Sequence, residues 1–141
     1  MTTTWLSDHF SLDELTVTRQ PFDNTPPKDV ILRLVNTAKN MEKVRALLQT
    51  PILVNSGYRS PRVNAAVGGS DNSDHMRGDA VDFISPRFGT PLQICRAIAK
   101  SGIKFDQLIE EGTWAHISFG PRMRQQVLTK AGKGFTVGLK K

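Results

Sequence analysis

Two short segments of the chain contain the residue types that hold metal ions in enzymes. Residues 73–82 read Ser-Asp-His-Met-Arg-Gly-Asp-Ala-Val-Asp, and residues 110–118 read Glu-Glu-Gly-Thr-Trp-Ala-His-Ile-Ser. Two of the three histidines in the chain, His75 and His116, lie in these segments. Imidazole and carboxylate groups suit zinc, and a catalytic zinc site combines three protein ligands with water. The two segments together therefore indicate metal-assisted chemistry.

The surroundings of Asp82 and His116 are typical of buried strands. Asp82 alternates with Ala80 along a stretch whose other face holds Val81 and Phe83, and His116 lies in the middle of residues 114–118. A buried carboxylate or imidazole without a partner is costly, and one divalent cation would satisfy both. Alone, such a histidine is more often structural, and such an aspartate is typical of a turn or a salt bridge. The metal hypothesis depends on the two segments being considered together.

Apolar periodicity predicts the elements that position these segments. Lys28–Leu48 has apolar residues at helical spacing and follows Pro27, while Thr90 and Pro91 begin a second helix that runs to about Ser101. A helical turn is predicted at 61–66, and strands at 51–55, 79–84, 103–110, 114–119 and 125–129, with 135–139 as a closing edge. This order predicts an α+β fold with a central, mostly antiparallel sheet and helices packed on one face. A length of 141 residues suits a single domain, residues 1–141.

Composition narrows the class of protein further. A hydrophobic fraction of 38% and a charged fraction of 23% are ordinary for a globular chain. Cys95 is the only cysteine, so the fold does not depend on an internal disulfide, and a small buried helical side chain is expected there. No apolar run is long enough to span a bilayer, and the first residues do not resemble a secretory signal. We therefore expect synthesis in the cytoplasm, with action elsewhere only after release.

The net charge of +6 favours acidic partners. The basic residues concentrate late in the chain: Arg122, Arg124, Lys130, Lys133, Lys140 and Lys141. No aromatic-rich platform is interleaved with them, so nucleic acid is not the expected partner. A solvated basic face is one interpretation, and contact with an anionic cell-wall or outer-membrane surface is the other.

The motif pattern resembles a known enzyme family. Ser73-x-His75-x-x-Gly78-x-Ala80-x-Asp82, followed about 30 residues later by Trp114-x-His116, is similar to the zinc D-alanyl-D-alanine carboxypeptidases and L-alanyl-D-glutamate endopeptidases. That family shares its fold with the hedgehog signalling domain. The similarity extends to residues 8–15, 55–60, 64–69 and 124–129, and it looks closest to small endolysins of phages and prophages.

The resemblance implies roles for particular residues. It implies one Zn²⁺ ion with three protein ligands: His75, Asp82 and His116. Arg59 matches an arginine that binds substrate or stabilises the developing oxyanion, a role that suits the fixed donors of a guanidinium. Ser73 would either hydrogen-bond within the site or cap a turn. Trp114, where some relatives carry a histidine, would pack beside the substrate pocket.

The catalytic base is ambiguous in the sequence. Many relatives place a glutamate three residues before the last ligand, but that position is Thr113 here. Glu110, six residues before His116, matches the hedgehog branch. Strand alternation puts its side chain on the same face as those of Trp114 and His116 if Gly112 does not interrupt the alternation. A turn or bulge at Gly112 would instead direct Glu111 towards the metal. Glu110 is the predicted base and Glu111 the alternative.

The resemblance also implies a function. It indicates a monomeric zinc peptidase that hydrolyses an amide bond of the peptidoglycan stem peptide, as a bacteriolytic L-alanyl-D-glutamate endopeptidase of the endolysin type. A D-alanyl-D-alanine carboxypeptidase uses the same site. A metal-stabilised module that binds the cell wall without turnover is the non-enzymatic alternative, and a small basic nucleic-acid-binding protein would leave the His/Asp cluster unexplained.

Overall fold

A computed structural model describes residues 2–139. The helices are α1 (Lys28–Leu48), α2 (Pro61–Ala66) and α3 (Pro91–Ser101), with 3₁₀ helices at Glu14–Thr16 and Asp74–Arg77. The strands are β1 (Leu53–Ser56), β2 (Ala80–Ile84), β3 (Gln107–Glu110), β4 (Ala115–Ser118), β5 (Gln126–Ala131) and β6 (Gly134–Val137). Within the described part of the chain, no helix has both the length and the apolarity to cross a membrane.

The two long helices begin and end where local signals place them. Helix α1 occupies the predicted range and ends at Gln49, whose left-handed backbone (φ 56°) stops the helix. Thr90 and Gln93 form a reciprocal capping box at the start of α3, and Gly102 follows its last residue with φ 84°. The local sequence is therefore sufficient to position both helices.

The six strands form one sheet in the order β1-β2-β4-β3-β5-β6. All neighbouring strands are antiparallel except β3 and β5, which are parallel. The prediction of an α+β fold with a mostly antiparallel sheet is thus confirmed. The strand predicted from residue 103 begins only at Gln107, because the buried Phe105 packs into the core from the connection after α3.

The sheet has two chemically different faces. On one face, alternate strand residues such as Val81, Phe83, Leu108 and Ile117 pack with α1 and α3 in the main hydrophobic cluster. Residues of opposite parity point the other way, because successive side chains of a strand alternate between faces. The second face is therefore available for a functional site, and α2 and the Asp74–Arg77 helix lie along it.

Buried ion pairs fix the segments that surround this second face. The fully buried Asp106 accepts hydrogen bonds from Nε and Nη2 of Arg124 at 2.8 and 3.0 Å and from the Arg124 backbone N–H at 3.1 Å. Asp79, 1% exposed, accepts hydrogen bonds from Arg33 of α1 at 2.8 and 2.5 Å. Both pairs join residues far apart in sequence, so they hold connections that the sheet alone would leave loose.

Replacing Asp106 with Asn should lower stability in a pH-dependent way. The hydrogen bonds from Arg124, helped by the charge of Arg122, hold the pKa of Asp106 below its usual range, whereas burial opposes this. The stabilisation is therefore present above the unfolded pKa of about 3.9 and is lost as the pH falls through the folded pKa. We expect Asp106→Asn to cost about 2 kcal/mol at pH 7, measured by urea denaturation.

The matched control is Asp71→Asn, which makes the same change at an exposed side chain. It should stay within about 0.5 kcal/mol of the parent at pH 7. The deficit of Asp106→Asn should be smaller near pH 3, below the unfolded pKa of about 3.9, where the stabilisation from ionised Asp106 has begun to decline. A deficit that is equal at both pH values would contradict the assigned role.

Candidate metal centre

Strand register brings Asp82 and His116 together. They are directly opposed across β2 and β4, so their side chains lie on the same face of the sheet. A bulge in β1 at residue 55 places Ser56 opposite Asp82 on the other side. His75 comes from the 3₁₀ helix that precedes β2, and Gly78 ends that helix with φ 80°. Three separate segments therefore converge on one point.

The three side chains are in direct contact. His116 Nδ1 lies 2.8 Å from Asp82 Oδ1, and His75 Nε2 lies 3.3 Å from Asp82 Oδ2. All three residues are buried, with exposed fractions of 3% for His75, 5% for Asp82 and 8% for His116. One ligand atom from each can be chosen so that all lie within 4.8 Å of one another. The predicted ligand set is thus assembled in space.

A backbone carbonyl group fixes the orientation of the His75 ring. Its Nδ1 lies 2.7 Å from the Gly57 carbonyl oxygen, which only accepts hydrogen bonds, so Nδ1 donates to it and Nε2 faces the site. A side chain at residue 57 is excluded, because a Cβ there would lie 2.4 Å from the Leu15 carbonyl oxygen. A backbone acceptor of this kind is the usual outer partner of a metal-binding imidazole.

Arg59 braces the centre from one side. Its Nη2 donates to Asp82 Oδ2 at 3.2 Å, its Nη1 to Asn64 Oδ1 at 3.1 Å, and its Nε to Ser56 Oγ at 3.1 Å. The Arg59 backbone N–H also donates to the His75 carbonyl at 3.0 Å. Arg59 therefore orients a ligand carboxylate directly, and it also lines the adjacent cleft.

The electrostatics suit an ionised carboxylate. Burial alone would raise the pKa of Asp82, but the charge of His75 and the hydrogen bond with His116 outweigh it and hold the pKa far below the usual range. Burial lowers the pKa of His116, and the hydrogen bond to Asp82 more than offsets this and raises it. In the protein without an ion, the pair therefore behaves as a carboxylate with a proton on the imidazole.

This donor set fits zinc. Two imidazoles and one carboxylate match the ligand preferences of Zn²⁺, and their ligand atoms lie within 4.8 Å of one another, so small side-chain movements would bring all three to one ion. Three protein ligands rather than four are typical of a catalytic site. A cation would also compensate the buried Asp82 charge more fully than a shared proton does.

A cleft of about 530 Å³ opens above the three ligands. Its floor is the second sheet face, with Gln107, Ile109 and Leu128 beside the metal-binding residues. One wall is formed by residues 67–75, and Arg122, Arg124 and Phe135 lie around its rim. A ligand can thus reach the centre through this cleft.

Ser73 and Trp114 both line this cleft. The Ser73 hydroxyl accepts a hydrogen bond from the His75 backbone N–H at 3.1 Å, so it caps the turn that carries a ligand. The Trp114 ring lies under Lys130, whose Nζ is 5.9 Å from the ring centroid. Its buried indole Nε1 has no hydrogen-bond partner among residues 2–139.

The structure contradicts the expected placement of Glu110. Antiparallel register pairs Glu110 with Ala115 and Ile109 with His116, so Glu110 lies on the face opposite His116. Its carboxylate accepts a hydrogen bond from the Gly112 backbone N–H at 2.7 Å, and it does not line the cleft. The physical reason is the turn at residues 112–113, with φ 93° at Gly112, because this turn interrupts the alternation of side chains between Glu110 and His116.

Glu111, the alternative, is on the metal side. Its backbone N–H donates to the Trp114 carbonyl at 3.0 Å across a two-residue turn, so the two side chains share a face. Both residues line the cleft with His116. The charge of Glu111 also contributes to the raised pKa of His116.

Cys95 has no role in this site. Burial, and to a lesser degree the charge of Glu110, raises the pKa of its thiol to about 12. A thiol that stays protonated is a poor nucleophile. Cys95 is therefore the small buried helical side chain that the sequence indicates.

The late basic residues do not act as one group. Arg122 and Arg124 line the cleft, Lys130 covers Trp114, and Lys133 is exposed in the β5–β6 turn. Lys140 and Lys141 lie outside the described residues. In the sequence, Arg122 and Arg124 are recognisable only as part of a basic stretch. Their connection to Asp106 has no local signal, because it spans 16 and 18 residues between elements whose packing was unknown.

A buried His₂Asp set at the floor of a cleft, with an acid from a neighbouring turn, defines a mononuclear metallohydrolase centre. A family model described as Peptidase M15 matches residues 8–118. The chain belongs to the peptidase M15 family, whose members are zinc-dependent metallopeptidases. No curated protein matches the chain closely enough to be reported as a relative.

Removing any one ligand should abolish stoichiometric zinc binding. We expect the parent to retain one zinc per chain after dialysis, and His75→Ala, Asp82→Ala and His116→Ala to lose it, measured by elemental analysis. Zinc should also raise the melting temperature of the parent, because it binds the folded state, and should not raise that of the variants.

The control is His9→Ala, which removes the third imidazole of the chain. His9 is half-exposed and contacts Glu42 instead of the site. It should keep one zinc per chain. A His116→Ala variant that retains stoichiometric zinc would show that the ion binds elsewhere.

Proposed function

We propose that the protein is a zinc-dependent peptidoglycan peptidase that hydrolyses an amide bond of the stem peptide. The observation that carries the proposal is the buried His75–Asp82–His116 set on the floor of a cleft that also contains Glu111. Membership of the M15 family supports the peptidase activity. Within this class we favour a lytic L-alanyl-D-glutamate endopeptidase of the endolysin type, which acts on the wall after release from the cell.

Each residue of the centre has a part in the reaction. His75, Asp82 and His116 would hold the ion. When bound, zinc supplies Lewis-acid activation of a water molecule and of the scissile carbonyl group. Glu111 accepts the proton of the attacking water as the new carbon–oxygen bond forms. It then returns that proton to the amide nitrogen, the carbon–nitrogen bond breaks, and the products are a carboxylate and an amine.

Arg59 and Trp114 position the substrate in this proposal. Arg59 uses three N–H groups on Ser56, Asn64 and Asp82, and its remaining N–H groups can donate to a substrate oxygen. Trp114 lines the same cleft, so its ring can pack against the substrate. Donors held in place before the substrate arrives stabilise developing negative charge without reorganising.

The remaining basic surface suits an anionic wall. Lys130 of β5 covers Trp114 at the cleft, and Lys133 in the β5–β6 turn extends the positive charge beyond it. We propose that they favour contact with the polymer around the stem peptide, which brings the cleft to its substrate.

Glu111→Gln should abolish turnover and leave zinc bound. Removal of a general base typically costs about 10²–10⁴-fold in rate. The matched control is the adjacent Glu110→Gln, which should change kcat by less than about threefold, because its carboxylate faces away from the ion. Rates on purified peptidoglycan and zinc content are to be measured for both variants. The opposite ranking of the two variants would return the base to Glu110.

Mass spectrometry of digested muropeptides tests the proposed function directly. Purified peptidoglycan is incubated with the zinc-loaded parent, with Glu111→Gln, and with the parent treated with a chelator. We expect new N-terminal D-glutamyl peptides with the active parent alone. Release of a terminal D-alanine would instead identify a carboxypeptidase. Intact muropeptides in all three samples, with wall still bound to the protein, would identify a non-catalytic wall-binding module.

A further inference from the structure

We propose that Arg122 and Arg124 form a carboxylate-binding subsite of the cleft. In this subsite a free carboxylate on the peptide, next to the scissile bond, is recognised by the two guanidinium groups. The inference rests on the proposed function and names the feature of the peptide that the site selects.

The two arginines lie at the end of the cleft opposite Glu111. Along β4, Trp114 and Glu111 flank the hairpin turn at one end, and the pair Ser118–Gln107 lies at the other, next to the segment that carries Arg122. His116 is between them. His116 and Ser118 are two positions apart on the strand, which is about 7 Å. That span equals about two residues of an extended peptide, so the group recognised belongs to a neighbour of the scissile bond.

The net charge at this end of the cleft allows it to bind an anion. Asp106 is the buried carboxylate beneath the two arginines, so the three groups together carry one net positive charge. Arg124 commits its Nε and Nη2 to Asp106, whereas Arg122 approaches it no closer than 3.6 Å and has a 58% exposed side chain. The donors of Arg122 are therefore available, and a planar guanidinium binds carboxylates in a bidentate manner.

The segment that carries the arginines is held in a costly conformation. Met123 (φ 42°) and Gln125 (φ 54°) both have left-handed backbones, which are unfavourable for residues other than glycine. Gln125 is fixed on both sides, because its side-chain oxygen accepts from the Phe105 N–H at 2.5 Å and its side-chain nitrogen donates to the Ile103 carbonyl at 3.3 Å. The contacts of Gln125 and Asp106 thus position the arginines before a ligand binds, which reduces the entropic cost of recognition.

Binding to an inactive holoprotein tests the subsite without turnover. The parent is zinc-loaded Glu111→Gln, and it is compared with the same protein carrying Arg122→Gln, Arg122→Lys or Arg87→Gln. Arg87 is an exposed arginine away from the cleft, so its variant matches the change in charge. The probes are a synthetic stem tetrapeptide and derivatives in which one carboxylate at a time is a carboxamide. Dissociation constants are measured by calorimetry.

We expect amidation of one particular carboxylate to weaken binding to the parent by roughly tenfold or more. Arg122→Gln should lose the same factor with the free peptide and should no longer distinguish the free from the amidated form. Arg122→Lys should recover part of the loss, and Arg87→Gln should match the parent.

The subsite is refuted if Arg122→Gln still distinguishes every amidated peptide as the parent does, or if Arg87→Gln loses as much affinity. Absence of measurable binding of the free peptide to the parent also refutes it. Cleavage of the same peptides by the unmodified enzyme is scored separately. No cleavage together with the expected coupling at Arg122 would overturn the proposed peptidase activity and leave the subsite standing.

Discussion

The buried carboxylate of Asp82 is the constraint around which the second face of the sheet is organised. An ionised group with 5% exposure requires cationic or hydrogen-bonding partners, and this one contacts both histidines and Arg59. Each partner is in turn fixed by backbone: His75 by Gly57, and His116 by its place opposite Asp82 in the sheet. The metal centre and the strand pairing therefore support one another, and neither can shift alone.

One face of the sheet supplies most of the hydrophobic core, and the other carries the functional site. One face is covered by α1 and α3 and consists of apolar side chains, which supply the main core. The other face carries the ligands and the cleft floor, and it is closed only by short helices and loops. Ion pairs such as Asp79–Arg33 and Asp106–Arg124 hold these short segments in place. Ion pairs thus hold the short segments around the second face, whereas apolar packing holds the helices on the first.

What the sequence predicts well here is local in origin. The bounds of α1 and α3 follow from apolar spacing and capping residues, and the three ligands follow from two motifs of distinctive composition. Glu110 was placed on the wrong face because parity across Gly112 depends on how many residues form the turn, and a glycine is compatible with several turns. The anchoring of Arg122 and Arg124 by Asp106 depends on tertiary packing, which the apolar periodicity of the sequence does not reveal.

The hairpin between β3 and β4 has an evolutionary consequence. Surface turns usually tolerate insertions and deletions, because little packing depends on their length. Here the faces of the two adjacent acids are set within β3, because Glu110 lies two residues after the core residue Leu108, so a change in the length of the turn would leave Glu111 on the side of the metal centre. Such a change would keep this acid in place and alter only its distance in sequence from His116. Relatives that carry their acid at different distances from the last histidine are what this tolerance would produce.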